Sequence, residues 1–389
     1  MPRSGWVLLF VLALGASACG TTVAGSGGPM NLMKYERPGL PPPGPAVGDG
    51  GGLVSRPGGP AVNYQRTPVV HACELLTPGD IADLGLLVRS GTAAGMVRRS
   101  YLGQTGTIEP YTIGIEGPNR CSYGIDPDLG SVEITVHQPV YSGEEALRQR
   151  LSYDYLPPVD VRGVRVHQRI RPYEGYTSQW LRVADVHVEL VTGLPDDVER
   201  RVVDHVLARL PAAVAAPTGP LVFDYVSPVL PDPFVNACAI SRWSDAQHLA
   251  GGVGPSAAVE EFVSPGIGWI FHDGGLQSNY VHHSCRYRAA GDLLRSAALT
   301  VRTTSYDDPA TPAAAMAFQR EYHGSVDTTV RIGEESNLTS YPGATWLQFR
   351  RGLVIVEVEY SAGDTAAPPS DLGSALESVA RSIDARVPR

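Results

Sequence analysis

Lysine is almost absent from this chain of 389 residues, and its absence excludes several kinds of catalytic site. The only lysine is Lys34, which lies in a stretch too rich in glycine and proline to form a core. A Walker phosphate-binding loop, a Ser-x-x-Lys acyl-transfer site and a Schiff-base site each need a lysine inside the fold. The sequence also has no Gly-x-Ser-x-Gly elbow and no His-Glu-x-x-His pair. We therefore expect no cofactor and assign no catalytic residue.

Long apolar runs and basic runs are also missing. The apolar segment from Trp6 to Leu14 covers only about half of the roughly 20 residues that cross a bilayer, and no later segment comes closer. It follows Arg3 and precedes small residues, which is the layout of a secretory signal, so residues 1–18 are predicted to be a signal peptide. The net charge of −9 argues against a nucleic-acid partner.

The chain has five cysteines, an odd number for an exported protein. Cys19 directly follows Ala16-Ser17-Ala18, and two interpretations remain open. In the first, Cys19 is the acylated cysteine of a bacterial lipobox. In the second, an ordinary signal peptidase cuts after Ala18 and Cys19 is simply the first mature residue. A lone exposed thiol is unfavourable in an oxidising compartment, which favours acylation.

Acylation of Cys19 would attach the protein to the extracytoplasmic face of the bacterial cell membrane, because each buried methylene contributes about 0.8 kcal/mol. The segment that follows, residues 19–66, is rich in glycine and proline, as in "PGLPPPGP" and "GDGGG". Such a composition predicts a semi-flexible tether between the membrane and the folded part. The membrane is therefore an expected partner, reached through the N-terminal lipid.

The remainder of the chain contains an internal repeat, which predicts two copies of one domain. "ACELLTPGDIADLG" begins at Ala72 and "ACAISRWSDAQHLAG" begins at Ala237. Further landmarks recur in the same order, among them Trp180-Leu181 and Trp346-Leu347. We predict two homologous domains, residues 67–216 and 217–389. Because each copy keeps two cysteines at nearly equal separation, the pairing predicted among the three possible ones is the following: Cys73 with Cys121, and Cys238 with Cys285.

The periodicity of apolar residues and the positions of capping residues, glycine and proline predict an α+β fold. Thr77 can cap a helix that starts at Pro78 and ends at Gly85. "SVEITVHQPV" alternates Val132, Ile134 and Val136 with polar residues, which indicates a strand with one face in water. "DDVERRVVDHVLARLP" predicts a final helix. Hairpin-linked strands with separate helices predict, in each domain, an antiparallel sheet with helices packed on one face and one disulfide.

These motifs resemble a known family. The lipobox-like cysteine followed by Thr-Thr-Val-Ala-Gly, the tether, "CELLTPGDIADLG" and the later "CSY" are similar to actinobacterial lipoproteins that carry a domain of unknown function of the Cys-x-Leu-Leu-Thr type. The second copy has Ile240-Ser241-Arg242 in place of Leu-Leu-Thr. The resemblance implies an exported, membrane-tethered and disulfide-bonded domain, and it brings no catalytic residues.

Two polar or aromatic segments are candidate binding sites. "FHDGGLQSNYVHHSCRY" places His272, Asp273, His282 and His283 near a cysteine, a set of donors that zinc or copper could use. Adjacent histidines on a strand point to opposite faces, so we expect a polar loop and strand here and assign no metal site.

"IRPYEGYTSQW" offers Tyr173 and Tyr176 as an exposed aromatic patch. Trp180 and Trp346 occupy equivalent places in the two copies, and core packing is the preferred interpretation of both.

Two classes of function remain. The preferred hypothesis is a non-catalytic envelope lipoprotein that binds a hydrophobic or glycan ligand, or another envelope protein, in a groove between its two domains. The alternative is an envelope hydrolase whose site is assembled from residues distant in sequence.

Overall fold

The chain is described by a computed structural model over these residues: 52–58, 63–64, 67–88, 96–101, 119–126, 130–139, 143–170, 175–219, 221–228, 230, 234–249, 257–269, 277–289, 298–341, 344–361 and 371–388. Cys19, the predicted signal peptide, Tyr173, His272 and Asp273 lie outside this range. In the described part of the chain, no helix combines the length and the apolar character needed to cross a membrane.

The first half of the chain alternates short helices and strands. Its strands, preceded by β1 (Gly52–Pro57), β2 (Asn63–Tyr64) and β3 (Thr67–Pro68), are β4 (Leu87–Val88), β5 (Met96–Tyr101), β6 (Arg120–Asp126), β7 (Gly130–His137), β8 (Val159–Val161), β9 (Val164–Gln168), β10 (Thr177–Val183) and β11 (Val186–Thr192). Its helices are a 3₁₀ turn (Ala72–Glu74), α1 (Pro78–Asp83), α2 (Glu144–Asp154) and α3 (Asp196–Ala215).

The second half begins after the strand β12 (Leu221–Val226). Its strands are β13 (Ala257–Trp269), β14 (Gln277–Ala289), β15 (Ala298–Tyr306), β16 (Val326–Asp327), β17 (Glu335–Tyr341), β18 (Ala344–Arg351) and β19 (Val354–Ser361). Its helices are α4 (Ala237–Ile240), α5 (Trp243–Leu249), α6 (Ala310–His323) and α7 (Leu372–Asp384).

One antiparallel sheet of 15 strands runs through both halves, in the order β16-β17-β18-β19-β15-β14-β13-β5-β6-β7-β11-β10-β9-β8, with β4 beside β6. Counted outward from the middle of the sheet, the strands of the second half follow the order β13-β14-β15-β19-β18-β17-β16. The strands of the first half follow the matching order β5-β6-β7-β11-β10-β9-β8. The two halves meet where β5 pairs with β13, with Tyr101 opposite Ala258 and Met96 opposite Val263. The α+β class and the antiparallel pairing predicted from sequence are confirmed.

The opening helix shows how local sequence sets the fold. The hydroxyl of Thr77 accepts from the backbone N–H of Asp80, and the carboxylate of Asp80 accepts from the N–H of Thr77 at 2.7 Å. This reciprocal cap satisfies backbone donors that a helix start leaves without partners. Pro78 occupies the first turn, where its missing N–H costs nothing, and Gly85 follows the helix with a φ of +72°. The predicted helix is confirmed.

Helices cover both faces of the sheet, and the prediction that they pack on one face is wrong. Leu181 belongs to the core that α3 covers, whereas its neighbour Trp180 packs with Leu147 of α2. Successive residues of a strand point to opposite faces, so α2 and α3 lie on opposite sides. The second half is alike: Phe349 packs with α7, and Ile355 packs with Met316 of α6.

The presence of α2 on the second face of the sheet also corrects the interpretation of β7 as a half-exposed strand. Val132, Ile134 and Val136 are fully buried in the core, as predicted. Thr135 and His137, expected in water, are buried as well. The alternation of polar and apolar residues is present, but the polar face lies under α2 and its surroundings rather than in solvent.

Both predicted disulfides are present. Cys73 is bonded to Cys121, with Cα atoms 5.2 Å apart, and Cys238 is bonded to Cys285, with Cα atoms 5.0 Å apart. Each bond joins a short helical turn at the start of its half, which contains Cys73 or Cys238, to a strand of the same half. No disulfide joins the two halves in the described residues.

The end of the predicted tether is structured. Gly52–Pro57 pairs with Leu221–Val226 of the linker between the halves, with Gly52 opposite Val226. Leu53 packs against the core of the first half. The tether predicted for residues 19–66 therefore includes a strand, because alternate residues of this stretch find partners on the linker.

Candidate functional site

The candidate site lies on the face of the first half that α2 covers. Hydrogen-bonded register places alternate residues of four strands in two rows on this face. The first row, from β9 to β7, is His167, Trp180, Glu189 and Thr135. The second row is Arg165, Arg182, His187 and His137. Three histidines that are far apart in sequence thus share one surface.

Glu189 is the centre of a buried network. Arg150 of α2 donates from Nη2 to both carboxylate oxygens, at 2.8 and 2.6 Å. The hydroxyl of Tyr155 donates to Oε1 at 2.8 Å and lies 3.0 Å from the hydroxyl of Ser178. Because a buried carboxylate without partners is very unfavourable, these bonds both satisfy the charge and attach α2 to the sheet.

The protonation states of this network follow from its contacts. Burial alone would raise the pKa of Glu189, but the neighbouring His137, Arg150 and Tyr155 outweigh it and hold that pKa at about 2. Burial and the adjacent carboxylate raise the pKa of Tyr155. The network is therefore an ionised carboxylate with an intact phenol at neutral pH, and it neutralises Arg150.

Trp180 is the packing centre of the site. Its indole is fully buried, which confirms the core-packing interpretation for this residue. His137 stacks on it with ring centroids 5.1 Å apart, and Tyr155 meets it edge-on at 5.4 Å. Its Nε1–H donates to Nδ1 of His187 at 3.0 Å. The tryptophan thus fixes the orientation of His187.

A cavity of about 730 Å³ lies beside this network. Apolar side chains of α2 and of the segment after it form one wall, including Leu147, Leu151 and Leu156. His167, His187 and Arg182, which lie on the strands, also line the cavity. The volume falls within the range of small-molecule sites, and the lining also includes the charged side chains Glu144, Arg148 and Asp185.

The two cavity-lining imidazoles are neutral. Burial, and then the nearby Arg182, lower the pKa of His187 to about 3. Burial also lowers the pKa of His167, to which Arg182 and Arg165 contribute. Neither ring is a cation at neutral pH, so each presents one donor and one acceptor nitrogen.

The residues singled out from the sequence lie elsewhere. Tyr176 is 47% exposed, and its ring lies against Gly193 rather than in the cavity. His282 faces Thr304, with Nδ1 and Oγ1 3.2 Å apart, and burial lowers its pKa to about 4. His283, on the opposite face of β14, is fully buried. The structure does not bring Tyr176 and His282 into one site.

His283 has a structural role that its sequence context does not reveal. Its Nδ1 accepts from the N–H of Ala237 at 3.1 Å, and its Nε2 lies 2.8 Å from Oε1 of Glu261. In the first half, Asn119 takes the same place and accepts from the N–H of Ala72 at 3.0 Å. Each side chain holds the residue before the first cysteine of its half. Among the described residues, no group of His, Cys, Asp or Glu could hold a metal ion.

The equivalent face of the second half has different chemistry. Its first row is Thr339, Trp346, Glu359 and Thr300, and its second row is Asn337, Gln348, Glu357 and Arg302. Arg302 pairs with Glu357 and with Glu359, the latter at 2.6 Å. Trp346 is half-buried where Trp180 is fully buried.

Comparison of the chain with protein-family models, with curated proteins and with solved structures finds no significant match. The chemistry of the site therefore follows from its own geometry. Sequence reasoning missed His137, His167 and His187 because it placed the polar residues of each strand in water. The available signal was that histidine recurs at a polar position of three strand-like segments, at His137, His167 and His187.

Proposed function

We propose that this protein binds a small amphipathic molecule in the cavity beside α2, and that it does so as an exported lipoprotein of the cell envelope without catalysing a reaction. The cavity carries this proposal: it has a volume of about 730 Å³, an apolar wall and a polar side. A ligand with an apolar chain and a polar end would contact both. This places the proposed binding within the first half, whereas the sequence had suggested a groove between the domains.

Exposed apolar side chains at the cavity support an apolar ligand portion. Leu156 and Ile170 line it and are 46% and 47% exposed. Large apolar groups in water are unfavourable, by roughly 25 cal/mol per Å² that a ligand could cover. Isolated exposed residues need no explanation, but these two lie together at one cavity.

The proposed location rests on the N-terminal sequence. Cys19 would carry acyl chains, and the residues that follow it would connect the lipid to the folded part. Cys19→Ala should release the mature protein from washed membranes, and mass spectrometry of the detergent-extracted protein should show an acylated N-terminal peptide. A mature chain that begins with an unmodified cysteine would refute the anchor without affecting the cavity.

We also propose that the two halves are tandem copies of one domain. The order of strands and helices supports this, as do the disulfide between equivalent elements and the row of Trp, Glu and Thr on the equivalent face of each half. The duplication would explain why one copy can carry a binding site while the other keeps only the scaffold.

Binding can be tested with 6-propionyl-2-dimethylaminonaphthalene (prodan), an uncharged amphipathic fluorophore. We expect its emission to rise and shift to the blue with the full-length exported protein, because its environment becomes apolar. Ile170→Glu should weaken binding at least tenfold by placing a charge on the cavity wall. Val326→Glu is the matched control, since Val326 is 61% exposed and lies on β16, at the opposite end of the sheet. Equal binding by the two variants would refute the proposal.

A further inference from the structure

We infer that the cavity selects an uncharged head group that both donates and accepts a hydrogen bond, such as a primary amide, through Nε2 of His187 and Nε2 of His167. This inference rests on the proposed function, since it specifies the ligand of the same cavity. It follows from the partners of the two rings, which fix opposite tautomers.

His187 presents a donor. Trp180 Nε1 carries a hydrogen and cannot accept, so Nδ1 of His187, 3.0 Å away, must be the acceptor and carry no hydrogen. The ring proton of the neutral imidazole is then on Nε2. His187 is only 5% exposed and lines the cavity, so Nε2–H is the polar group that it offers to a ligand.

His167 presents an acceptor. Its Nδ1 lies 3.0 Å from the carbonyl oxygen of Leu156, which can only accept, so Nδ1 carries the hydrogen. The neutral ring then has a bare lone pair at Nε2. His167 is 9% exposed and lines the same cavity. The two rings therefore offer one donor and one acceptor, held by a backbone carbonyl and by a fully buried indole.

Charge distinguishes the candidate head groups. A carboxylate has acceptors only, so one that bonds to His187 has no hydrogen to offer to His167. An alkylammonium has donors only, so one that bonds to His167 has no acceptor to offer to His187; Asp185, which also lines the cavity, would attract it, so an amine is one competing head group to test. A primary amide has both a carbonyl oxygen that can accept from His187 and an N–H that can donate to His167. Arg182 lies in the row beside His187 and would attract a carboxylate, which makes an acid a second competing head group to test.

The test compares probes with one chain length and four head groups. Octanamide, 1-octanol, octanoate and octylammonium compete with prodan for the full-length protein at pH 7.5. We expect octanamide to bind about tenfold more tightly than octanoate or octylammonium, with 1-octanol between them, because one unsatisfied hydrogen-bonding group costs about this factor. Equal affinities, or tighter binding of octanoate, would overturn the inference.

Variants test the role of each ring. His167→Phe removes the acceptor and should reduce the preference for octanamide over octanoate, whereas His187→Phe removes the donor and should weaken both probes. His205→Phe is the control: His205 lies on α3, on the opposite face, with Nε2 3.5 Å from Asp80. The ratio of two affinities is not changed by a general loss of folded protein. If His187→Phe does not fold, His167→Phe decides alone.

The two proposals fail in different ways. Absence of prodan binding, together with no binding of any octyl probe by calorimetry, would refute the cavity as a ligand site. Prodan binding with no discrimination among the four head groups would refute only the head-group inference.

Discussion

The two halves place the same three residue types on equivalent strands but complete the polar face differently. Trp180, Glu189 and Thr135 stand in register in the first half, and Trp346, Glu359 and Thr300 do so in the second. In the second half the next row neutralises charge within the sheet, where Arg302 contacts Glu357 and Gln348 donates to Glu357 at 2.8 Å. In the first half the balancing arginine comes from a helix, and the next row holds His187 and His137 beside two arginines.

This difference shows how two similar strand arrangements can carry different polar groups. Glu189 is neutralised by Arg150 of α2, so its neutralisation does not require an arginine at the β7 position that corresponds to Arg302. His187 and His137 stand where the second half has Glu357 and Arg302. Neutral rings can leave a nitrogen for a ligand, whereas an ion pair consumes its own donors and acceptors. The strand order is alike in the two halves, and the side chains give the two polar faces different chemistry.

The largest expected effect is a loss of stability that should be the same for the two halves. Replacing either disulfide pair by serines, Cys73 with Cys121 or Cys238 with Cys285, should lower the free energy of unfolding by up to about 4 kcal/mol on the chain-entropy model. The enclosed loops are nearly equal, with sequence separations of 48 and 47. Chemical denaturation measures both double variants. A loss confined to one half would show that the two bonds are not equivalent.

The next largest effect is a loss of stability that should differ between the two halves. Glu189→Ala removes a buried carboxylate and leaves the charge of Arg150 and the hydroxyl of Tyr155 without it, which should cost about 3 kcal/mol. Glu359→Ala should cost about 1 kcal/mol, because Arg302 keeps Glu357. Both are read from urea unfolding. Equal losses would contradict the different balancing of charge described above.

Acid should destabilise the first half through its histidines. The folded pKa of His187, about 3, lies below its ordinary value of 6.5. Between pH 6.5 and 3, His187 is therefore protonated in the unfolded chain but not in the folded one. The neutral folded ring contributes fully to the free energy of unfolding above pH 6.5, and this contribution is lost as the pH falls toward 3. His187→Phe should flatten the pH dependence of unfolding in this window by up to about 1.4 kcal/mol per pH unit. Above pH 7 the two slopes should agree, and parallel curves at lower pH would refute the assignment.

The smallest effect compares the two helix caps. Thr77→Ala removes a side-chain cap and should cost about 1 kcal/mol. At the equivalent place in the second half, Arg242 contributes only its backbone N–H, which donates to Asp245 at 2.7 Å. Arg242→Ala should therefore leave stability nearly unchanged. Thermal unfolding of the two variants measures the difference, and a comparable loss from Arg242→Ala would show that its side chain matters there.

Much of the fold follows from local sequence. The helices at Thr77 and in "DDVERRVVDHVLARLP" form as predicted, and so do the strands and both disulfides, because caps, periodicity and paired landmarks act over short distances. The buried faces of α3 and α7 are those that the spacing of apolar residues indicates.

The site does not follow from local sequence. Polar residues at every second position of β7, β9 and β11 indicate one hydrophilic face, but only the placement of α2 decides whether that face meets water or helix. Register then brings His167 and His187 to the same cavity from strands on either side of β10. Pairing between strands that are distant in sequence, such as β5 with β13, depends on many weak contacts. It therefore cannot be predicted from a short stretch of sequence.

The pairing of Gly52 with Val226 determines where an anchoring force would reach the folded chain. Val226 lies in the linker between the halves, so a tether that ends at Gly52 would join the folded chain beside that linker. Leu53 of β1 packs against the core of the first half and Phe223 of β12 belongs to it, so tension on such a tether would pass into that half through the β1–β12 ribbon.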